Sequence, residues 1–186
     1  TAQEEFLRRS DQMIFGDSPK QGIVRNNDFY HEELGIAMSF PPGWRVQNRA
    51  QNVAATSPGG EVLIDLRSEG PAKGSPTDVL RRALKRAAGD EVSPTAIRGL
   101  EAAIVSTSIG GRPTRVACVF HRDTAFLIAT QARTQAGFNQ YQAEIQASLM
   151  SIRALTEQER AFARPLRLRV ISAQAGITFA ELARLS

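Results

Sequence analysis

Apolar residues alternate with small or polar ones in several short stretches, and this spacing of two predicts β-strands with one buried face. A first strand is predicted over residues 34–40, and a second begins at Trp44 after a Pro-Pro-Gly turn. Residues 52–57 and 61–68 form a predicted hairpin around a Pro-Gly-Gly turn. Three further strands are predicted in a meander whose turns are Gly-Gly and Arg-Asp: 100–109, 113–121 and 124–132.

Elsewhere apolar residues recur every three or four positions, which predicts amphipathic helices. The clearest helix covers residues 75–88, because Ser75 can cap it, Pro76 suits its first position and Asp78 completes a capping box. Residues 136–152 predict a second helix with large apolar side chains on one face. Weaker patterns predict helices over 2–15, 156–163 and 178–185, and a strand over 166–170.

The strands come in runs, with helices between the runs. This order predicts an α+β fold, in which a mainly antiparallel sheet is covered by helices. Residues 16–33 are polar and irregular, and they predict a connecting loop. We predict three parts: a linker helix and loop over 1–27, an α+β domain over 28–155, and a linker helix with a short β-α segment over 156–186.

The charge balance argues against a nucleic-acid partner. Lys and Arg number 23 against 19 for Asp and Glu, the cations are scattered, and only 6% of residues are aromatic. Every apolar run is shorter than the ~20 residues needed to span a bilayer, so no transmembrane segment is expected. The charged start has no apolar signal core, and we expect both ends to be cut points in a longer chain.

No local motif of a common catalytic site occurs in the sequence: H-E-x-x-H, G-x-S-x-G, the P-loop and G-x-G-x-x-G are all absent. The only histidines are His31 and His121. His31 stands beside Glu32 and Glu33, and it is either an ordinary surface histidine or part of a dispersed metal or acid/base site. Cys118 alternates with apolar neighbours and is expected to be buried and inert. We expect no catalytic, cofactor-binding or metal-binding residue here.

Three features are candidates for a surface that meets a partner or ligand. Trp44, the single tryptophan, either stacks on a ligand or anchors the edge of the core. The predicted helix 75–88 has a basic face that either meets phosphate or lipid head groups or is simply solvated. Together with the histidine of the polar loop, the candidate residues are Trp44, His31, Arg81, Arg82, Lys85 and Arg86.

Two stretches resemble one protein family: FLRRSDQMIFGDSPKQGIVRNNDFYHEELGIAMSFPPGWRVQN and LTEQERAFARPLRLRVISAQAGITFAELARLS. They are similar to the region after the catalytic domain in bacterial envelope Zn-dependent proteases with chaperone function, the BepA-like gluzincins. Gly16 to Gly22 match a G-D-x-P-x-Q-G segment of that family. Phe29 to Gly35 match its F-x-H-P-E-L-G segment, with Glu32 in place of the usual proline.

The resemblance implies a parent metalloendopeptidase whose zinc motif precedes Thr1, so zinc belongs to the parent and this chain carries no ligand to it. It also implies a periplasmic or cell-envelope location and, as a partner, a protein substrate or an envelope protein. Residues 28–155 resemble the PsbP-like sandwich through an apolar run followed by P-x-G-W. Residues 166–186 resemble the front half of a LysM-like module, which adds peptidoglycan as a candidate partner of the tail.

These observations lead to two interpretations. The first is a non-catalytic accessory region that positions substrate or docks a partner for an envelope zinc metalloprotease. The alternative is a free-standing PsbP-like module that binds a ligand or partner and has no connection with proteolysis.

Overall fold

Antiparallel sheets and short helices form the computed structural model, which describes residues 5, 14–15, 20–85, 92–164 and 166–167. This arrangement confirms the predicted α+β class. The helices are α1 (Pro76–Ala83), α2 (Gln135–Gln140) and α3 (Gln142–Leu149), and 3-10 turns cover Pro58–Gly60 and Glu159–Ala161. The strands are β1 (Ile14–Phe15), β2 (Ile23–Arg25), β3 (Asp28–His31), β4 (Ile36–Ser39), β5 (Arg45–Asn48), β6 (Val53–Thr56), β7 (Val62–Pro71), β8 (Ser93–Ile97), β9 (Leu100–Ile109), β10 (Arg112–His121), β11 (Thr124–Ala132), β12 (Arg153–Ala154) and β13 (Leu166–Arg167).

Neighbouring strands are antiparallel throughout the described residues. The large sheet has seven strands in the order β5-β6-β7-β11-β10-β9-β8, and the small sheet has four in the order β12-β4-β3-β2. Strand β1 pairs with β13. The predicted meander is confirmed as β9, β10 and β11. Its first turn is tight because Gly110 and Gly111 adopt φ of 58° and 74°, values that side chains disfavour.

The main core lies between the inner face of the large sheet and a second layer made of the small sheet, α2 and α3. From the large sheet, Ile64 and Ile128 are fully buried in it. Met38 of β4 and Leu149 of α3 meet them from the second layer. Burial of one such side chain contributes roughly 1.5–3 kcal/mol to the free energy of unfolding, so this core supplies most of the stability of the fold.

Helix α1 covers part of the outer face of the large sheet. The Ser75 hydroxyl accepts the Asp78 N–H at 3.2 Å, and the Asp78 carboxylate accepts the Ser75 N–H at 3.0 Å, which is the predicted capping box. Leu80 of this helix packs over Cys118 of β10. The helix ends at Ala83, earlier than predicted, because Lys85 already has a φ of 50°.

The predicted loop over residues 16–33 is wrong for its second half, where β2 and β3 form a hairpin. Its turn residues are Asn26 and Asn27, with φ of 49° and 67°. Asparagine tolerates this left-handed conformation better than most residues, so a two-residue turn can form without glycine. The prediction failed because these strands are short and carry many polar residues.

The predicted helix over 136–152 is divided at Tyr141, whose φ of −101° and ψ of 16° are not helical, and it ends at Leu149. The predicted helix over 156–163 is only a 3-10 turn. Strand β8 was not predicted, and Ile14–Phe15 form a strand where a helix was expected. The rest of the predicted helix over 2–15, apart from Glu5, and the LysM-like segment from residue 168 onward lie outside the described residues.

The segment that follows β12 packs on the outer face of the small sheet. Leu155 and Ala163 cover Tyr30 and Ala37 there, and the ring of Phe162 lies 5.8 Å from the ring of Tyr30. Two main-chain contacts hold this segment: the Leu155 N–H donates to the Gly35 carbonyl at 2.8 Å, and the Arg25 guanidinium donates to the Arg164 carbonyl at 2.7 Å.

Candidate functional site

A cleft of about 260 Å³ opens where the small sheet meets one end of the large sheet. Four separate parts of the chain form its walls. They are residues 20–21, the turn that joins β3 to β4, the tip of the β5–β6 hairpin, and the part of β7 around Ser68. The cleft exists because the β5–β6 hairpin stops short of the end of β7 and leaves space beside it.

The floor of the cleft is apolar. Side chains from both sheets meet there, and each is at most 5% exposed because it also belongs to the main core. A ligand group that enters the cleft therefore contacts hydrocarbon and aromatic surface, and burial of an apolar group at this floor is favourable. The floor residues are Phe29, Ile36, Val53, Leu66 and Phe126.

The rim of the cleft is mainly cationic. Lys20, Arg49 and Arg67 line it and are exposed, and Glu33 is the carboxylate among the lining residues. The Arg49 guanidinium donates to the neutral amide of Gln47 at 2.6 Å. Arg67 reaches Glu69 only at 3.4 Å in an exposed pair, which contributes little. The rim therefore favours an anionic ligand.

Strand β7 extends past its neighbour β6 at the cleft. The last pair between them joins Val53 to Leu66, whereas β7 remains paired with β11 as far as Pro71. A β-bulge also lies here, because the register between β7 and β11 shifts between Ala125 and Phe126. Beyond Leu66, β7 pairs with β11 on one side, while residues 50–52 of the hairpin tip and the cleft lie on its other side.

The alternation of main-chain groups shows which residues of β7 face β6. The Val62 carbonyl accepts the Ser57 N–H at 2.9 Å, and the Val62 N–H donates to the Ser57 hydroxyl at 2.9 Å. Main-chain groups of every second residue point the same way along an antiparallel strand. Ile64 and Leu66 therefore point toward the β6 side, whereas Ser68 lies at the register shift between β7 and β11, where the alternation is interrupted.

His31 lies at the edge of the floor and is 7% exposed. Its Nδ1 accepts the Leu34 N–H at 3.3 Å, and its ring stands edge-on to Phe29 with centroids 6.1 Å apart. Burial lowers the pKa of His31, and the opposing effects of the Lys20 backbone and the Glu33 carboxylate are smaller. The ring is therefore neutral at pH 7 with its proton on Nε2, and it holds the turn over 31–34 in place.

The hairpin between β10 and β11 supports the same turn from outside. The Arg122 guanidinium donates to the Glu33 carbonyl at 3.3 Å and lies against Gly35. His121 also contacts the Gly35 backbone; burial lowers the pKa of His121, and the neighbouring Arg122 lowers it further. Neither His31 nor His121 is thus paired with a carboxylate in an arrangement suited to proton transfer.

The remaining candidate residues lie away from the cleft. Trp44 is 5% exposed, and its ring stands edge-on to Tyr141 at 5.4 Å, inside the main core. The basic residues Arg81, Arg82 and Lys85 belong to α1 or follow it, on the opposite face of the large sheet. Arg86 lies outside the described residues. Among the described members of this set, the structure therefore brings only His31 to the cleft.

Cys118 is buried beneath α1, on the face of the sheet opposite the cleft. Burial raises the pKa of Cys118 to about 12, with a smaller contribution from Glu69, so the thiol stays protonated. Over the described ranges, no three His, Cys, Asp or Glu side chains gather closely enough to hold a metal ion. Every helix in the same ranges is too short or too polar to span a bilayer.

A broader depression of about 500 Å³ lies on the outer face of the large sheet. It contains two exposed apolar side chains, Leu63 and Ile109, among polar ones such as Asp65 and Gln131. Its large apolar side chains are exposed, and its lining has one carboxylate, Asp65, and one guanidinium, Arg67, so it offers less to a specific ligand than the cleft does.

No protein-family model matches the chain, and no curated protein sequence matches it. Its fold is similar to the solution structure of cyanobacterial PsbP (CyanoP) from Synechocystis sp. PCC 6803, at 12% identity and a TM-score of 0.51, over 75% of this chain and 98% of that one. A Bacteroides thetaiotaomicron crystal structure matches at 15% identity and 0.50, over 73% of this chain and 51% of that one. A mutant of the protein Mog1 matches at 9% identity and 0.47, over 73% and 98%.

At such low identity the first two similarities show a shared fold and nothing more. They confirm the predicted PsbP-like sandwich at the level of the fold. The comparisons contain no sign of the protease family or of a LysM-like module.

Proposed function

We propose that this chain is a non-catalytic binding module and that the cleft between its two sheets is the binding site. The observation that supports the proposal most directly is the combination of a buried apolar floor with an exposed cationic rim. Apolar pockets with a few polar groups at their edge are typical of binding sites in proteins. The rim charges orient a ligand, and the floor supplies most of its binding energy.

The chemistry of the cleft supports binding rather than catalysis. His31 is neutral and already accepts a hydrogen bond from the protein backbone, so it is not free to take a proton from a substrate. The thiol of Cys118 faces the other side of the sheet and is protonated. The described part of the cleft therefore has cations and amides that can hold a ligand, but no activated nucleophile.

We further propose that the module is the accessory region of a bacterial envelope zinc metalloprotease, where it positions a protein substrate or docks an envelope partner. The support is the resemblance over the GDSPKQG and FYHEELG segments. In this proposal zinc and the H-E-x-x-H motif belong to a catalytic domain that precedes Thr1, in the periplasm or cell envelope.

Two measurements test this role. The reading frame upstream of Thr1 should encode H-E-x-x-H, and its absence would remove the protease assignment.

In the full-length enzyme, Arg49→Glu combined with Arg67→Glu should raise KM for a protein substrate by about tenfold with kcat unchanged. Arg112→Glu, an exposed arginine outside the cleft, is the matched control. Equal KM values for the two variants would contradict a role of the cleft in positioning substrate.

The alternative is a free-standing binding module unrelated to proteolysis. One observation favours it: the matched region covers 98% of the solved cyanobacterial PsbP chain, so the fold accounts for nearly all of that chain. In this case the purified chain should bind its ligand through the cleft without any upstream catalytic domain. Hydrolysis of casein by the purified chain, with loss of activity on addition of a chelator, would contradict both proposals.

A further inference from the structure

We infer that the cleft takes a small amphiphilic anion, in which a group the size of one aromatic ring is joined by a short chain to a carboxylate. This inference rests on the proposed binding role of the cleft and names the ligand class. Three features lead to it: the volume of the cleft, the wall formed by the hairpin tip, and the surplus of cations at the rim. A free organic acid has this chemistry, and so has the end of a polypeptide whose last residue is aromatic.

The volume of the cleft sets the size of the apolar group. A cavity of about 150 Å³ holds one benzene ring, and the cleft has a volume of about 260 Å³. The rings of Phe29 and Phe126 belong to its floor, and aromatic rings favour edge-on or offset contact with another ring. One ring with a short chain therefore fits the cleft, whereas a long acyl chain would extend beyond it.

The tip of the β5–β6 hairpin forms the wall along β7. The Arg49 N–H donates to the Asn52 carbonyl at 2.9 Å, which closes the turn. The side-chain amide of Asn52 donates to the Asp65 carboxylate of β7, and the next residue, Val53, pairs with Leu66. The tip is thereby held against β7, so a ligand at this wall meets side chains rather than a free strand edge. This wall favours a compact ligand over an added β-strand.

The rim selects the charge of the head group. Among the described residues that line the cleft, the charged side chains are three cations, Lys20, Arg49 and Arg67, and one carboxylate, Glu33, and all four are exposed. A guanidinium can hold both oxygens of a carboxylate through parallel hydrogen bonds. An anionic head group at the rim is therefore attracted, and a cationic one is repelled.

The test uses the 15N-labelled 186-residue chain and a matched series of small ligands, followed by NMR. Phenylbutyrate should shift the amide resonances of Phe29, Ile36 and Phe126 more than those of Ile109 and Gln131, which line the depression on the outer face. A Kd on the order of 0.1–1 mM is expected for a ligand of this size. Larger shifts at Ile109 and Gln131 would place the ligand outside the cleft and overturn the inference.

Ligand variants separate the head group from the apolar group. Phenylbutanol has the ring without the charge, phenylbutylamine reverses the charge, and butyrate lacks the ring. Each should bind at least about tenfold more weakly than phenylbutyrate, because each loses either the charge-assisted hydrogen bonds at the rim or the contact with the floor.

One peptide distinguishes the two sources of this chemistry. Acetyl-Gly-Gly-Phe with a free carboxylate represents the end of a polypeptide. Tighter binding of this peptide than of phenylbutyrate indicates a chain end as the ligand, and equal or weaker binding indicates a free organic acid.

Protein variants test the rim. Arg49→Glu with Arg67→Glu should weaken binding of phenylbutyrate at least about tenfold, while Arg112→Glu, outside the cleft, should leave it unchanged. Arg67 also borders the depression on the outer face, so Arg49→Glu is measured alone as well. This single change should weaken binding by about threefold.

The outcomes separate the ligand class from the binding role. Equal affinity for phenylbutyrate and butyrate, or equal affinity of the double variant and the unchanged chain for phenylbutyrate, overturns the inference. If phenylbutanol or phenylbutylamine binds in the cleft as tightly as the acid does, the ligand class is wrong and the binding role of the cleft stands. If no member of the series shifts the cleft resonances, the inference is overturned and the proposed site loses its support.

Discussion

Arg153 donates two hydrogen bonds to one oxygen of Glu159, from Nε at 2.9 Å and from Nη2 at 2.6 Å. The other oxygen of Glu159 accepts the N–H and the hydroxyl of Thr156 at 3.0 Å and 2.9 Å. The pair is mostly buried, with side chains 20% and 17% exposed. It fixes the start of the segment that packs on the small sheet.

Glu159→Gln should lower the free energy of unfolding by about 1–3 kcal/mol at pH 7. An amide has one oxygen, so its NH2 group must face either Arg153 or Thr156 and leave donors there unpaired. Urea unfolding followed by circular dichroism measures the change. Glu157→Gln is the matched control: its partner is Arg160, Glu157 is 89% exposed, and the expected loss is below about 0.5 kcal/mol.

The same pair predicts acid sensitivity. Burial tends to raise the pKa of Glu159, but the hydrogen bonds from Thr156 and Arg153 together outweigh it and lower the pKa below the ordinary 4.5. The carboxylate therefore stabilises the fold above about that pH, and this contribution is lost as the pH falls through the lower folded-state value. Glu159→Gln should flatten the pH dependence of stability in this range, and an unchanged slope would contradict the assignment.

Gly22→Ala should destabilise the chain more than Gly59→Ala. Both glycines have positive φ, 79° and 75°, so both substitutions carry similar backbone strain of about 1–2 kcal/mol. A Cβ atom on Gly22 would lie 2.5 Å from Cε2 of the buried Phe29 ring and 2.9 Å from the Tyr30 carbonyl oxygen, whereas nothing lies within 4 Å on Gly59. Urea unfolding of the two variants measures the difference in their free energies of unfolding. This difference isolates the steric clash at Gly22 and is expected to be about 1–3 kcal/mol.

The buried histidine of the cleft makes stability depend on pH near neutrality. Burial lowers the pKa of His31 below the ordinary 6.5, so the unfolded chain binds a proton more readily than the folded chain does. Stability should therefore be highest above about pH 6.5 and should fall as the pH decreases through the folded-state pKa. His31→Gln should reduce the stability difference between about pH 8 and about pH 5. An equal difference in both proteins would show that His31 does not titrate as described, since His121 is present in both.

Trp44 should behave as a core residue in fluorescence measurements. It is the single tryptophan and is 5% exposed against the Tyr141 ring, so its emission should be blue-shifted and poorly quenched by iodide. Tyr141→Ala removes the ring contact and should increase quenching and cost about 1 kcal/mol beyond the lost burial. Tyr141→Phe keeps the ring and is the control. Quenching as strong as in the unfolded chain would place the indole at the surface.

Local regularity explains which elements were predictable. The β9–β11 meander and the start of α1 were predicted because alternation, the Gly-Gly turn and the Ser75 capping box are all short-range signals. The β2–β3 hairpin was missed, since its strands have only three and four residues and its turn residues are asparagines. The end of the helix at Leu149 was missed because residues 153–154 pair with β4, a contact between distant parts of the chain.

The candidate site was much less predictable than the fold. Of the proposed residues that the structure describes, only His31 lines the cleft, while Trp44 belongs to the core. The tryptophan and the basic helix were conspicuous in the sequence, but neither contributes to the cleft. Arg49, Ser68 and Phe126 had no signal, because they lie in ordinary turn and strand positions far apart in the chain.

The amino-acid sequence by itself determined the α+β class, the meander, the capped helix and the absence of local catalytic motifs, since each follows from residues within a few positions of one another. Only the tertiary structure decided where a binding site lies. The cleft depends on the pairing of β6 with β7 ending at Val53 while β7 continues to Pro71, and on two sheets meeting at that level. Such a difference in length between neighbouring strands arises from pairing between distant parts of the chain, which the pattern of apolar and polar residues along the sequence does not predict.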